Sequence, residues 1–139
     1  MSVFSRSGEH AAWWLTLGTV GALWSGPGPR RVAWWRGVRV VAFSYAANTA
    51  LKLVVRRPRP TLEGLPPLTP TVSALSFPSA HATTSFAAAR VYGGLVPRAP
   101  LQALAIAYGA SRPYLGVHYP SDVLAGAALG TALGVLGCR

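Results

Sequence analysis

Acidic residues are nearly absent from this chain. Its 139 residues hold three Asp or Glu against thirteen Lys or Arg, a formal net charge of +10. A two-metal hydrolase needs several carboxylates around its ions, and Glu9, Glu63 and Asp122 cannot supply them. Charge of either sign is scarce, at 12% of residues, against about a quarter in soluble domains. One cysteine, Cys138, excludes an internal disulfide and any multi-cysteine metal site. Hydrocarbon fills the space instead: 51% of residues are hydrophobic and the mean hydropathy is +0.35. A soluble domain of this length needs a more polar surface. The composition therefore reads as one integral membrane domain over residues 1–139.

The basic excess does not point to nucleic acid. The arginines sit singly or in pairs between apolar runs, and no zinc, homeodomain or RNA-binding motif is present. Anionic headgroups and phosphate substrates fit them better. The first apolar run, 11–24, follows Glu9-His10 and lacks a small-residue cleavage site, so it reads as a retained membrane helix.

Five helices are expected. The first covers Ala11 to Trp24, with a start near Ser7 or Gly8, and Trp13, Trp14 and Trp24 read as interfacial anchors. Breakers at Ser25-Gly26-Pro27-Gly28-Pro29 separate it from a second helix, Val32 to Val55, in which Asn48 should face other helices. Residues 56–78 hold six of the twelve prolines and read as a loop of the length used for lids and binding loops. The third helix is expected from Ser79 to Leu95, the fourth from Leu101 to Arg112 and the fifth from Pro120 to Gly137. Gly126, Gly130 and Gly134 recur every fourth residue and should form a close-packing face. The fold class is all-α, a membrane bundle with about five transmembrane helices.

Alternating traversal makes a geometric prediction. Lys52 ends the second helix, Ser79 starts the third, Ser111-Arg112 end the fourth, and His118 and Asp122 flank the start of the fifth. All of these ends lie on one side of the membrane. Lys52, Arg59, Ser79, His81, Arg112, His118 and Asp122 can therefore meet. Three cations make a phosphate cradle, with the arginines suited to bidentate contacts. Ser79 and the amides of Ala80 and His81 lie at a helix start, which favours anions. Of two histidines, one can attack phosphorus while the other protonates the leaving oxygen. Asp122, four residues past His118, can accept the imidazole N–H. Arg56 and Arg57 read as interfacial charges, and Glu9 and His10 as an exposed helix start.

Three stretches of the chain, Lys52 to Arg59-Pro60, Pro78-Ser79-Ala80-His81, and Ser111-Arg112 with His118 and Asp122, resemble the motifs of the type 2 phosphatidic acid phosphatase family. That family shares its fold with vanadium haloperoxidases and bacterial acid phosphatases. Every spacing matches, and Ala80 replaces the family's glycine. The resemblance implies His118 as nucleophile through a phosphohistidine, Asp122 orienting it, and His81 as general acid. It also implies Lys52, Arg59, Ser79, Ala80 and Arg112 as phosphate ligands, Ser111 as support, and neither metal nor other cofactor. Ser5-Arg6 with Gly8-Glu9-His10 further resembles the small actinobacterial decaprenylphosphoryl-5-phosphoribose phosphatases of cell-wall arabinan synthesis. Phosphatidate, phosphatidylglycerophosphate and polyprenyl diphosphate stay open as substrates. A non-catalytic membrane helper and a haloperoxidase are the alternatives of other classes.

The expected partners are a lipid phosphate and the bilayer. Arg30, Arg31, Arg36, Arg98 and Arg139 lie opposite the site. Apart from the three phosphate ligands, the site's own side carries Arg6, Arg56 and Arg57. The positive-inside rule then puts the site on the extracytoplasmic face of the cell membrane, with the C-terminus inside.

Overall fold

The computed structural model describes residues 11–61, 71 and 73–139. Five helices follow in order: α1 Ala12–Trp24, α2 Pro29–Val55, α3 Ala80–Tyr92, α4 Arg98–Tyr114 and α5 Pro120–Gly137. The described residues form no strand, only an isolated bridge between Pro58 and Leu75. Expectations about Ser5 to His10, Glu63 and most of the 62–72 loop fall outside the described residues.

The helix boundaries differ from the sequence reading where proline and glycine act. α2 starts at Pro29, three residues early, because proline's missing N–H is harmless at a first helical position. α4 likewise absorbs Pro100 in its first turn, and it runs through Pro113 before Gly116, at φ 69°, turns the chain. α3 stops at Tyr92 because Gly93-Gly94 follow, and glycine is a poor helix former.

α3 is the hub. It packs most extensively on α5 and also on α2 and α4. Many of its side chains are small, and the hydroxyls of Thr83 and Thr84 donate back to the carbonyls of Ser79 and Ala80. Asn48 faces inward as expected, donating to the Pro78 carbonyl at 3.2 Å and to Thr83 Oγ1 at 2.9 Å. The glycine face of α5 lies on α3. A methyl at Gly126 would stand 2.6 Å from the Ser79 carbonyl oxygen, and one at Gly134 would stand 2.7 Å from Arg90 Cβ. At the other end of the bundle Tyr92 is fully buried, its hydroxyl donating to the Trp14 carbonyl and its ring packed on Trp34.

One tryptophan departs from the sequence reading. Trp13 and Trp24 are 54% and 85% exposed, as anchors should be, but Trp14 is only 6% exposed and its Nε1 donates to Ser85 Oγ at 2.9 Å. It is a core residue, because an indole N–H can be buried where a hydroxyl meets it.

Among the described residues, two helices, α2 and α5, are long and apolar enough to cross a bilayer. Large apolar side chains such as Leu23, Phe43, Leu53, Val54, Leu124 and Leu136 lie exposed on the bundle. Water would disfavour that surface and lipid would not.

Candidate active site

The last turns of α2 and α4 and the starts of α3 and α5 carry the polar groups of the site. The last turn of α2 carries Lys52, whose Nζ donates to the carbonyls of Leu75 and Ser76 at 3.1 and 3.2 Å. The chain then leaves α2 in an extended path. Arg59 N–H donates to the Ala74 carbonyl, and Ser76 N–H to the Arg57 carbonyl. These bonds close the proline-rich loop at its base and fix the backbone of Arg57 and Arg59. At the start of α3, the Ser79 amide donates to the Asp122 carbonyl at 3.0 Å, joining α3 directly to the first turn of α5.

Two arginine–histidine contacts line the site. Arg59 Nη1 lies 3.3 Å from His118 Nε2 and donates to the Val117 carbonyl at 2.7 Å, while its Nε donates to the Ser73 carbonyl. Arg112 Nη1 lies 3.4 Å from His81 Nε2. Ser111 supports Arg112 by accepting from its Nε at 3.1 Å and donating to the Tyr108 carbonyl. Ser79 and Ala80 sit at the α3 N-terminus, where Ser79 Oγ caps the Ala82 amide at 3.5 Å. The sequence-predicted set Lys52, Arg59, Ser79, Ala80, His81, Arg112, His118 and Asp122 is thus brought together.

The electrostatics favour a neutral His118. The ring is 4% exposed. Burial, followed by the nearby positive groups Arg59, Lys52, His81 and Arg112, pushes its pKa from 6.5 down to about 2. Arginine can only donate, so the Arg59 contact assigns the Nε2 lone pair to the phosphate side. The proton of the neutral ring then belongs on Nδ1, which faces Asp122. A neutral imidazole with its lone pair on the side of the Arg59 guanidinium is arranged to attack an electrophilic phosphorus.

Asp122 is less simple than its spacing suggested. His118 Nδ1 lies 3.6 Å from Asp122 Oδ2, close enough for charge attraction but making no hydrogen bond. Oδ2 instead accepts the Tyr119 amide at 2.9 Å, a cap on the start of α5. Oδ1 accepts from Arg57 Nη1, also at 2.9 Å. Arg57 was expected to be an interfacial charge. It is instead folded over the site, and two residues of sequence separation from Arg59 gave no sign of a partner 65 residues away. Arg56 stays exposed, ending α2 in a left-handed conformation.

Among the described residues, no three His, Cys, Asp or Glu side chains stand close enough to share a metal ion. The chemistry on offer is a cluster of cations, a helix N-terminus, two imidazoles and one buried carboxylate.

Comparison with known proteins places this geometry in context. The sequence model of the PAP2 superfamily matches residues 33–139. The chain is 41% identical over 133 residues to a decaprenylphosphoryl-5-phosphoribose phosphatase of Mycobacterium tuberculosis, covering 95% of this chain and 73% of that protein. It is 45% identical over 124 residues to a decaprenylphosphoryl-5-phosphoribose phosphatase of Mycolicibacterium smegmatis, covering 88% of this chain and 67% of the relative. The fold is similar to that of the PAP2-type phosphatidylglycerolphosphate phosphatase of Bacillus subtilis, at 21% identity and a TM-score of 0.64, over 99% of this chain and 86% of that one.

Proposed function

The chain belongs to the PAP2 superfamily and is a membrane lipid phosphatase; from that premise we propose that its substrate is a polyprenyl-linked phosphosugar of the decaprenylphosphoryl-5-phosphoribose type. The observation that carries the mechanism is the pairing of Arg59 with His118 Nε2 and of Arg112 with His81 Nε2. A phosphomonoester bound there meets Lys52, Arg59, Arg112 and the α3 N-terminus, which together can offset its two negative charges. His118 Nε2 forms a bond to phosphorus as the ester P–O bond breaks, and the electron pair leaves on the ester oxygen. His81 gives that oxygen its proton, and the lipid alcohol departs. Water, deprotonated by His81, then attacks the phosphohistidine. Phosphate leaves and the electron pair of the N–P bond returns to Nε2. Asp122 stabilises the imidazolium character that develops on His118. Ser111 supports Arg112 through its Nε.

The proposal keeps residues 1–139 as one multi-pass domain of the cell membrane, with the site on the extracytoplasmic face. What supports the orientation is the arginine excess at the opposite end, formed by Arg30, Arg31, Arg36, Arg98 and Arg139. What supports the substrate is the pair of relatives at 41% and 45% identity over most of the chain. The test is a phosphate-release screen of the purified protein. Decaprenylphosphoryl-5-phosphoribose should be turned over faster than phosphatidate, phosphatidylglycerophosphate, lipid A 1-phosphate or undecaprenyl diphosphate. Preference for any of the others would overturn the assignment.

A further inference from the structure

Arg57 lies within the span of the first motif, between Lys52 and Arg59, at a position the motif leaves unspecified and outside the phosphate cradle, yet it makes three specific contacts beside the site. Its Nη1 donates to Asp122 Oδ1 and to Ser121 Oγ, both at 2.9 Å. Its guanidinium carbon stands 4.0 Å above the ring centroid of Tyr119, a stacked cation–π contact. Its backbone is held by the Ser76 amide at 2.8 Å, and Ser76 Oγ holds the next carbonyl, that of Pro58, at 3.0 Å. The side chain is therefore anchored at its root, along its plane and at its tip.

All three of its partners, Tyr119, Ser121 and Asp122, surround the turn that presents His118. Arg59, two residues on, grips the same turn from the other side through the Val117 carbonyl and His118 Nε2. The two arginines of one short extended segment thus bracket the imidazole. Arg59 faces its phosphate side, and Arg57 reaches its other side through the carboxylate.

Asp122 is completely buried. A buried carboxylate is strongly disfavoured unless ionic and hydrogen-bonding partners satisfy it. Oδ2 has the Tyr119 amide and lies 3.6 Å from His118 Nδ1, and among the described residues Oδ1 is ion-paired with Arg57 at 2.9 Å. With both oxygens held, the carboxylate cannot rotate away from the imidazole. We propose that Arg57 is a positioning residue of this phosphatase: it locks the Asp122 carboxylate so that Oδ2 stays directed at His118 Nδ1 during phosphoryl transfer. This rests on the assignment of His118 as nucleophile. Arg57 itself touches neither His118 nor the phosphate cradle, so it acts on the rate through Asp122 and not on phosphate affinity.

The experiment compares the full-length protein with R57Q, R57K, D122N, R57Q/D122N and H118A in detergent micelles. It uses dioctanoyl phosphatidate for kcat and KM and orthovanadate for site affinity. R57Q is expected to lose about 100-fold in kcat, the scale for misplacing a catalytic group by about 1 Å. KM and the vanadate inhibition constant should stay within about 3-fold of wild type, and R57K should recover part of the loss by restoring the charge and one donor. Because Arg57 acts through Asp122, R57Q/D122N should be no slower than D122N within about 2-fold, a non-additivity that a purely structural role would not produce. Wild-type kcat in R57Q, equal losses in kcat and vanadate affinity, or multiplicative losses in the double variant would each overturn the proposal. H118A separates the two claims. If H118A is dead while R57Q is normal, only the role of Arg57 fails. If H118A is active, the nucleophile assignment itself is wrong. If R57Q does not fold, R57K carries the kcat-against-vanadate comparison alone.

Discussion

Replacing Gly130 by alanine tests how tightly the two halves of the site are coupled through helix packing. The added methyl would run into the Thr83 carbonyl oxygen, with the carbonyl carbon at 2.9 Å and the Ala87 nitrogen at 3.1 Å. All three atoms are backbone of α3, so no side chain can swing aside. The helices must part by about 1 Å, and overpacking of this kind costs about 1–3 kcal/mol. The displacement is transmitted to chemistry because α3 carries Ser79 and His81, while α5 begins at Asp122 beside His118. The bond from the Ser79 amide to the Asp122 carbonyl, 3.0 Å long, joins those two starts. A misplacement of about 1 Å between acid and nucleophile is worth about 100-fold in rate. The assay is phosphate release by purified protein alongside thermal unfolding in the same detergent. G130A should lose at least about 10-fold in kcat and melt at lower temperature. G94A, whose added methyl meets nothing within 4 Å, should match wild type in both. A fully active and stable G130A would refute the argument that the glycine face sets the α3–α5 distance.

Asn48 should tolerate alanine better than aspartate. N48A removes the donor to the Pro78 carbonyl and Thr83 Oγ1, costing about 1–3 kcal/mol in thermal unfolding. N48D places a second acceptor against those oxygens and should destabilise more. His118 also makes stability depend on pH. Its folded pKa is depressed to about 2, while the unfolded ring titrates near 6.5. Its contribution is therefore fully present above about pH 6.5 and is lost as pH falls below that value, by up to about 1.4 kcal/mol per pH unit. Unfolding of H118N followed between pH 7 and pH 4 should show a flatter slope than wild type. Turnover should survive EDTA and be blocked by orthovanadate; loss of activity on chelation, restored by a divalent ion, would contradict the metal-independent mechanism.

Much of the site was legible in the sequence because its logic is one of helix ends. Breakers at 25–29, 56–78 and 97–100 divide the chain into segments whose ends alternate in direction. Parity then assigns Lys52, Ser79, Arg112 and His118 to one face without knowledge of any contact. The four-residue recurrence of Gly126, Gly130 and Gly134 likewise declared a packing face. The missed features depend on long-range pairing. Trp14 looks like its neighbour Trp13 until Ser85, 71 residues away, offers its indole a hydroxyl. Arg57 is one of a basic pair after an apolar helix, a common interfacial pattern, and its partners Ser121 and Asp122 lie 64 and 65 residues away. The 3.6 Å gap between His118 and Asp122 was also invisible, because an i,i+4 spacing allows a hydrogen bond without requiring one. Helix bounds moved where proline could serve as a first-turn residue, at Pro29 and Pro100, instead of as a stop.

Whether His118 carries the phosphoryl group can be measured directly. The protein would be mixed with a lipid phosphomonoester bearing radiolabelled phosphate, quenched in alkali within milliseconds and digested for peptide mapping. An alkali-stable, acid-labile phosphoryl group is expected on the peptide containing His118 and should be absent in H118N. Label on another residue, or H118N turning over at the wild-type rate, would contradict it.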